Sequence, residues 1–259
     1  MINVHEINQS ILKKLIRGIF NKFGFEIKKK DNWYDRYKDS VVELNPKLEK
    51  IITKSSKFIN ASIPNRWAII QSLEYVKKNK IKGDVVETGV FHGGGLILIN
   101  DILKYLKLKK KIWGYDTFEG IPNQSLKHDR ILGNKSINKK ETKQKINLTI
   151  YPDIDTVKKN LKKSGFLKIP KLVQGDTKKT LKIKKNLPKK ISFLRLDTDF
   201  YESTLNELKI FFPLLSKNGI LLIDDYGHHS GCKKAVDKYF KNKNVWMHRI
   251  DYTARLIIK

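Results

Sequence analysis

Two stretches of the chain end in paired acids: "LRLDTDFYES" (194–203) carries Asp197 and Asp199, and "GILLIDDYG" (219–227) carries Asp224 and Asp225. Each pair follows an apolar run that reads as a buried strand, so the acids fall where strands stop. Residues two apart on a strand leave it on one face, and neighbouring strands lie about 4.8 Å apart. Carboxylates placed so closely repel one another and take up protons unless a cation is shared between them. A Mg²⁺ ion, with oxygen ligands at about 2.0–2.1 Å, would relieve that repulsion. Capping of the following helices accounts for Asp199 or Asp225 singly, but poorly for both pairs together.

A second constellation is "ETGVFHGGG" (87–95), which joins an apolar strand to a helix. Its Gly89 and Gly93 are spaced G-x-x-x-G. That is neither the G-x-G-x-x-G of a dinucleotide turn nor a phosphate loop with its Lys-Ser/Thr pair. Glu87 sits at the strand end, where it would repel a pyrophosphate and attract an ammonium or sulfonium. The ligand this chemistry implies is S-adenosylmethionine (SAM). Asp116 in "YDTF" ends the next strand, where an acid can accept from both ribose hydroxyls of an adenosine, although it could equally cap its own turn. Asp176 in "QGDTKKTL" is available to an adenine amine, with turn chemistry an equal explanation. The expected cofactor set is Glu87, Thr88, Gly89, Gly93, Asp116, Thr117, Phe118, Asp176 and Asp197.

The elements that must position these residues alternate. Strands are expected at 83–89, 111–118, 170–176, 190–199 and 219–225, with helices at 66–80, 94–106, 154–166, 201–217 and 232–240. Strands separated by helices form a parallel sheet with right-handed crossovers and ligands at the carboxyl ends. Residues 245–251 and 254–259 read as a closing antiparallel hairpin. Upstream, residues 10–23 form an amphipathic basic helix, suited to packing on the main domain or a partner subunit, or to lying on an anionic membrane. Residues 27–60 read as a polar connecting arm, and residues 120–150, rich in Asn, Lys and Ser, as a lid. The organisation expected is a helical arm over 1–65 and an α/β domain over 66–259.

The chain has 259 residues and a formal net charge of +28, yet only 7 of its 54 basic residues are arginine. Nucleic-acid readout favours the bidentate arginine fork, and the lysines run along the whole chain, so a solvated surface is expected and no nucleic-acid partner. The single cysteine, Cys232, excludes an internal disulfide and suits a reducing cytosol. No apolar stretch reaches the ~20 residues of a membrane span, and the N-terminus lacks a signal-peptide pattern.

The segments "VVETGVFHGG", "YDTFEGIP", "LRLDTDFYESTLNEL" and "LLIDDYGHHSGCKKAVDKYF" resemble the macrocin O-methyltransferase family, which acts on sugars of macrolide and aminocoumarin antibiotics. The resemblance covers roughly residues 66–240. It implies a Rossmann-like class I SAM-dependent methyltransferase fold with a mostly parallel seven-stranded sheet and a small-molecule or glycan acceptor. It also implies a Mg²⁺ ion on Asp197, Asp224 and Asp225, with Asp199 as general base. The chain departs from the family at Phe91 and His92, where the family usually has Trp and Arg, and in its lysine-rich lid. The expected protein is a cytoplasmic homo-oligomeric sugar O-methyltransferase. A catechol-type phenolic O-methyltransferase is the nearest alternative, ahead of an NAD-linked oxidoreductase, which Glu87 disfavours, and of a nucleic-acid-binding module.

Overall fold

The strands owe their place to alternation. Val85, Phe193 and Leu222 fall in one apolar cluster, while Val86, Leu194 and Leu221 fall in another. A sheet apolar on both faces must be covered on both, and helices do so here. The computed structural model describes residues 41–120 and 151–259, together with Ile16, Gly18, Lys22, His128, Asp129 and Leu132. In chain order the main elements are α1 (Pro46–Ser55), α2 (Ile63–Lys78), β1 (Asp84–Thr88), α3 (Gly94–Tyr105), β2 (Ile112–Asp116), α4 (Ile154–Lys163), β3 (Lys171–Gln174), α5 (Thr177–Thr180), β4 (Ile191–Leu196), α6 (Tyr201–Leu214), β5 (Leu215–Ile223), α7 (Ser230–Phe240), β6 (His248–Arg249) and β7 (Arg255–Ile258).

The seven strands are ordered β3-β2-β1-β4-β5-β7-β6. The pairs among β1 to β5 are parallel, and β7 runs antiparallel to both β5 and β6. This is the expected α/β architecture with its closing hairpin. Strand order reverses between β1 and β4, which opens a crevice beyond their carboxyl ends. Helices α1, α2 and α3 pack on one face, and α6 and α7 on the other.

Two local expectations differ from the structure. The stretch read as a polar connecting arm contains α1, whose Asn45 side chain accepts from the backbone N–H groups of Lys47 and Leu48 at 3.0 Å each. Leu48 and Ile52, one turn apart, are buried against α2 and α3. The buried guanidinium of Arg66 on α2 adds a bond to the Ile52 carbonyl at 3.1 Å. Three apolar residues, Leu48, Ile51 and Ile52, among lysines make a stripe too narrow to stand out in sequence. The helix expected to run to 217 ends at Leu214, just after Pro213, and β5 begins at once. Between Leu215 and Ile220 the strand bulges: its register against β4 passes from Ile191↔Leu215 to Phe193↔Ile220. The basic helix expected at 10–23 and the lid at 120–150 lie outside the described residues except at Ile16, Gly18, Lys22, Gly120, His128, Asp129 and Leu132.

Because Ile52 is 3% exposed in the main core, Ile52→Ala should destabilise the whole domain by about 2 to 5 kcal/mol. Denaturant unfolding checks this; an unchanged midpoint would mean that α1 unfolds independently.

Candidate active site

Register builds the site. Glu87 on β1 pairs directly with Arg195 on β4, so their side chains emerge side by side on one face. Arg195 in turn is paired with Leu222 on β5. Two residues beyond Arg195 and Leu222, on that same face, come Asp197 and Asp224. The Arg195 guanidinium is 1% exposed. Its Nη1 lies 2.8 Å from Glu87 Oε1, and its Nη2 lies 2.8 Å from both Asp197 Oδ2 and Asp224 Oδ1. From α2, the buried Asn65 amide donates to the same Asp224 oxygen at 2.6 Å. One buried cation therefore stands among three carboxylates, and the cluster keeps an excess of negative charge.

Burial first, and mutual repulsion after it, raise these acids. Burial pushes Glu87 up to about 7, although the Arg195 charge pulls it down. Asp197 is raised well above the carboxylate range, by burial first and then by the charges of Asp224 and Asp225 against the opposing pull of Arg195. Burial and the Asp197 charge push Asp199 up to about 7, and burial with the Asp199 and Asp224 charges raises Asp225. Arg195 itself is raised: burial opposes its charge, and the carboxylates outweigh burial.

Asp197, Asp224 and Asp225 each present an oxygen within 4.8 Å of the others. A second triad, Asp199, Asp225 and His229, meets the same measure and shares Asp225. The Asp199 backbone turns left-handed at φ +60°, and its N–H donates to Asp225 Oδ2 at 3.2 Å. His229 Nε2 lies 3.5 Å from Asp199 Oδ1. Burial and the neighbouring His228 lower His229 to about 4, so at neutral pH this is a contact of a neutral imidazole with a carboxyl rather than an ion pair.

These groups line a cleft of about 690 Å³ at the carboxyl end of the sheet. Of the expected cofactor residues, Gly89, Asp116, Thr117, Asp176 and Asp197 reach its wall. A Cβ at Gly89 would fall 1.7 Å from the Asp197 carbonyl oxygen, so only glycine lets β1 turn past β4 here. Glu87 is fully buried. A Cβ at Gly95, on the cleft wall, would lie 1.8 Å from its Oε1, and among the described residues its Oε2 is buried without a partner. Asp116 accepts from the backbone N–H groups of Phe91 and Phe118, both at 2.9 Å, tying the glycine loop to its own turn. Asp176 caps α5 through the Lys178 N–H at 2.8 Å while still facing the cleft.

Three expected residues are turned elsewhere. The Thr88 hydroxyl, on the opposite face of the sheet from Glu87, donates to Glu207 at 3.0 Å. Gly93 supplies the left-handed N-cap of α3 and packs toward Leu161 and Val157. Phe118 is buried in the apolar cluster with Val90 and Leu96. In the lid segment, Asp129 is an anchor: its Oδ1 accepts from the Tyr201 N–H at 2.9 Å at the start of α6.

Sequence reasoning missed four participants: Arg195 as hub, Asn65, His229 and Glu207. Glu207 carried a signal, since it lies on the α6 stripe of Thr204, Leu208 and Phe211, all buried. It accepts from Thr88 and Thr198 at 3.0 and 2.9 Å, bracing the turn that carries Asp197 and Asp199.

Residues 66–257 match the family described as Macrocin-O-methyltransferase (TylF). The chain is 33% identical over 174 residues to the demethyldecarbamoylnovobiocin O-methyltransferase of Streptomyces niveus, a match covering 66% of this chain and 63% of that one. It is 29% identical over 170 residues to the 8-demethyl-8-(2,3-dimethoxy-alpha-L-rhamnosyl)-tetracenomycin-C 4'-O-methyltransferase of Streptomyces olivaceus, covering 64% of this chain and 61% of the relative. The chain thus spans less than two thirds of the length of these curated relatives. The solved structure of the O-methyltransferase NovP superposes with a TM-score of 0.67 at 28% identity, over 76% of this chain and 80% of that one.

Glu207 gives a pH test of the brace. Burial raises its carboxyl from 4.5 to about 7, so between those values the folded state holds a proton that the unfolded state has lost. Its contribution is therefore lost as pH rises through that window. Urea unfolding at about pH 5 and about pH 8 should show that Glu207→Gln loses less stability than the parent, by on the order of 3 kcal/mol. Parallel losses would refute it.

Proposed function

The chain belongs to the macrocin-O-methyltransferase family, and on that premise we propose that it transfers a methyl group from SAM to a sugar hydroxyl in a Mg²⁺-dependent reaction. The observation that carries this reading is the convergence of Glu87, Asp197 and Asp224 on one guanidinium, with Asp225 and Asp199 adjoining them, beside a cleft of about 690 Å³.

The residues fit both groups. The buried Glu87 Oε2 beneath Gly95, unpartnered among the described residues, suits the ammonium of SAM, and Asp116 at the end of β2 suits a ribose. When bound, SAM supplies an electrophilic methyl on a sulfonium. Asp197, Asp224 and Asp225 form an all-oxygen donor set of the kind a hard cation takes. When bound, Mg²⁺ supplies Lewis acidity toward hydroxyl oxygens, which otherwise are about as weakly acidic as water.

Asp199 is the base in this reading. With its carboxyl at about 7, it would take up the proton that the acceptor hydroxyl gives up on methylation. His229 lies against that carboxyl, and Asp225 accepts from the Asp199 backbone N–H, fixing the turn that presents it. Arg195 fixes Asp197 and Asp224 without occupying their remaining oxygens. General-base help of this kind is worth roughly 10²- to 10⁴-fold.

For the acceptor, the Streptomyces olivaceus relative is named for a rhamnosyl-bearing substrate, which supports a sugar here. One observation favours a second reading. Phe91 and Tyr151 meet edge to face at 5.6 Å on the cleft wall, a surface that would also suit a flat catechol-type phenol.

Turnover should stop in EDTA and return with Mg²⁺. Asp199→Asn should lower turnover by about 10² or more with metal affinity nearly intact, whereas Asp197→Asn should weaken metal binding by calorimetry. Equal metal loss in both variants would make Asp199 a ligand, and full activity in EDTA would remove the metal from the reading.

Offered catechols and nucleotide sugars side by side with SAM and Mg²⁺, the enzyme should methylate a sugar with neighbouring hydroxyls. Methylation of catechol with no sugar accepted would install the phenolic reading instead.

A further inference from the structure

The opposite end of the sheet carries the opposite charge. A hollow of about 960 Å³ lies at the amino ends of β1 and β2, where Gly83, Asp84 and Ile112 form part of its wall. Seven lysines and a single acid line it. Two of the lysines are committed: Lys110 donates to the Gly83 carbonyl at 2.9 Å, and Lys104 to the Gly165 carbonyl at 2.6 Å. The acid, Asp84, accepts from the Trp113 indole at 2.9 Å. That leaves Lys82, Lys107, Lys109, Lys111 and Lys168, all exposed. None of their ammonium groups has a hydrogen bond or ion pair among the described residues.

On the same rim stands Leu167, 99% exposed. An isolated exposed leucine is unremarkable, but this one projects from within a ring of unpaired cations. That combination has a defined physical use. Lysines are drawn to anionic headgroups as point charges, without the need for a fork geometry, and an apolar side chain among them gains by entering the headgroup and acyl boundary. A nucleic acid is the poorer fit, since the wall holds neither an arginine for bidentate contacts nor an aromatic ring on which a base could stack.

We propose that this amino-end face docks on an anionic lipid bilayer, with Lys82, Lys107, Lys109, Lys111 and Lys168 over the headgroups and Leu167 at the acyl boundary. Docking there leaves the acidic cleft, at the other end of the strands, open to water. The inference stands on the face itself and does not depend on the methyl-transfer reading.

The test is co-sedimentation of the full chain with vesicles of phosphatidylcholine alone or mixed with phosphatidylglycerol. The protein should bind the mixed vesicles and not the neutral ones, and added salt should weaken binding. Lys107→Glu/Lys109→Glu should bind about tenfold or more weakly. Lys179→Glu/Lys234→Glu, an equal change in net charge placed elsewhere, should bind as the parent does. Leu167→Ser should weaken binding severalfold at unchanged charge. Because all five positions are exposed, the fold should persist, which circular dichroism verifies.

Equal weakening by both double variants would reduce the effect to overall charge and overturn the proposal. So would parent-like binding by Lys107→Glu/Lys109→Glu or by Leu167→Ser. Failure to bind the vesicles, with retention of a duplex DNA that this double variant loses, would make the face a nucleic-acid surface instead.

Discussion

The carboxyl end of the sheet depends on Arg195. Three carboxylates from three adjacent parallel strands cannot be brought together in a dry interior without a counter-charge, and this guanidinium meets all three at 2.8 Å. Breaking such a buried pair typically costs about 3 to 5 kcal/mol, because the partner is left charged and alone. The compensation is deliberately incomplete in charge terms: one positive group faces Glu87, Asp197 and Asp224, with Asp225 and Asp199 just beyond. Enough neutralisation lets the strands close, while burial and mutual repulsion raise the carboxyls left without full compensation.

Holding acids this way strains the backbone beside them. Phe91, Phe118 and Asp199 all have positive φ, at +48°, +54° and +60°, a region non-glycine residues seldom occupy. Each is fixed from outside: Phe91 and Phe118 by the Asp116 carboxylate, Asp199 by Asp225. Strain that persists only because its surroundings over-determine it is typical of sites that must be preorganised. Here the loops after β1, β2 and β4 are each locked by an acid at the end of a neighbouring strand or of their own. The acids therefore shape the cleft as well as charging it.

Most of this frame was legible because strand periodicity carries far. The period of two that separates Val85 from Val86 also sends Arg195 and Asp197 to one face, so the convergence of acids could be read before any coordinates. What it could not reveal was which cation answers them first. The arginine stood in the same ten residues as two of the acids, but its reach to Glu87, 108 residues away, follows only from β1 lying beside β4. Asn65 and His229 were hidden for the same reason, since each reaches the site from a helix or turn whose placement is tertiary. Helix α1 escaped because Leu48 and Ile52 are its main apolar contacts amid lysines. Pro213, one residue before the end of α6, was a stop signal that the expected helix to 217 ran past, and the bulge after Leu215 concealed how early β5 begins.

The charge balance of the whole chain takes on meaning from this geometry. With 54 basic and 26 acidic residues, an even mixture would give a uniformly positive surface that repels small cations. Concentrating acids where parallel strands end, inside a low-dielectric cleft, focuses a local negative field that the surrounding lysines screen little. Seven lysines line the other end, where β1 and β2 begin. Because all five parallel strands point one way, the sheet acquires an acidic head and a basic foot. The first is suited to cationic small ligands and the second to an extended anionic surface.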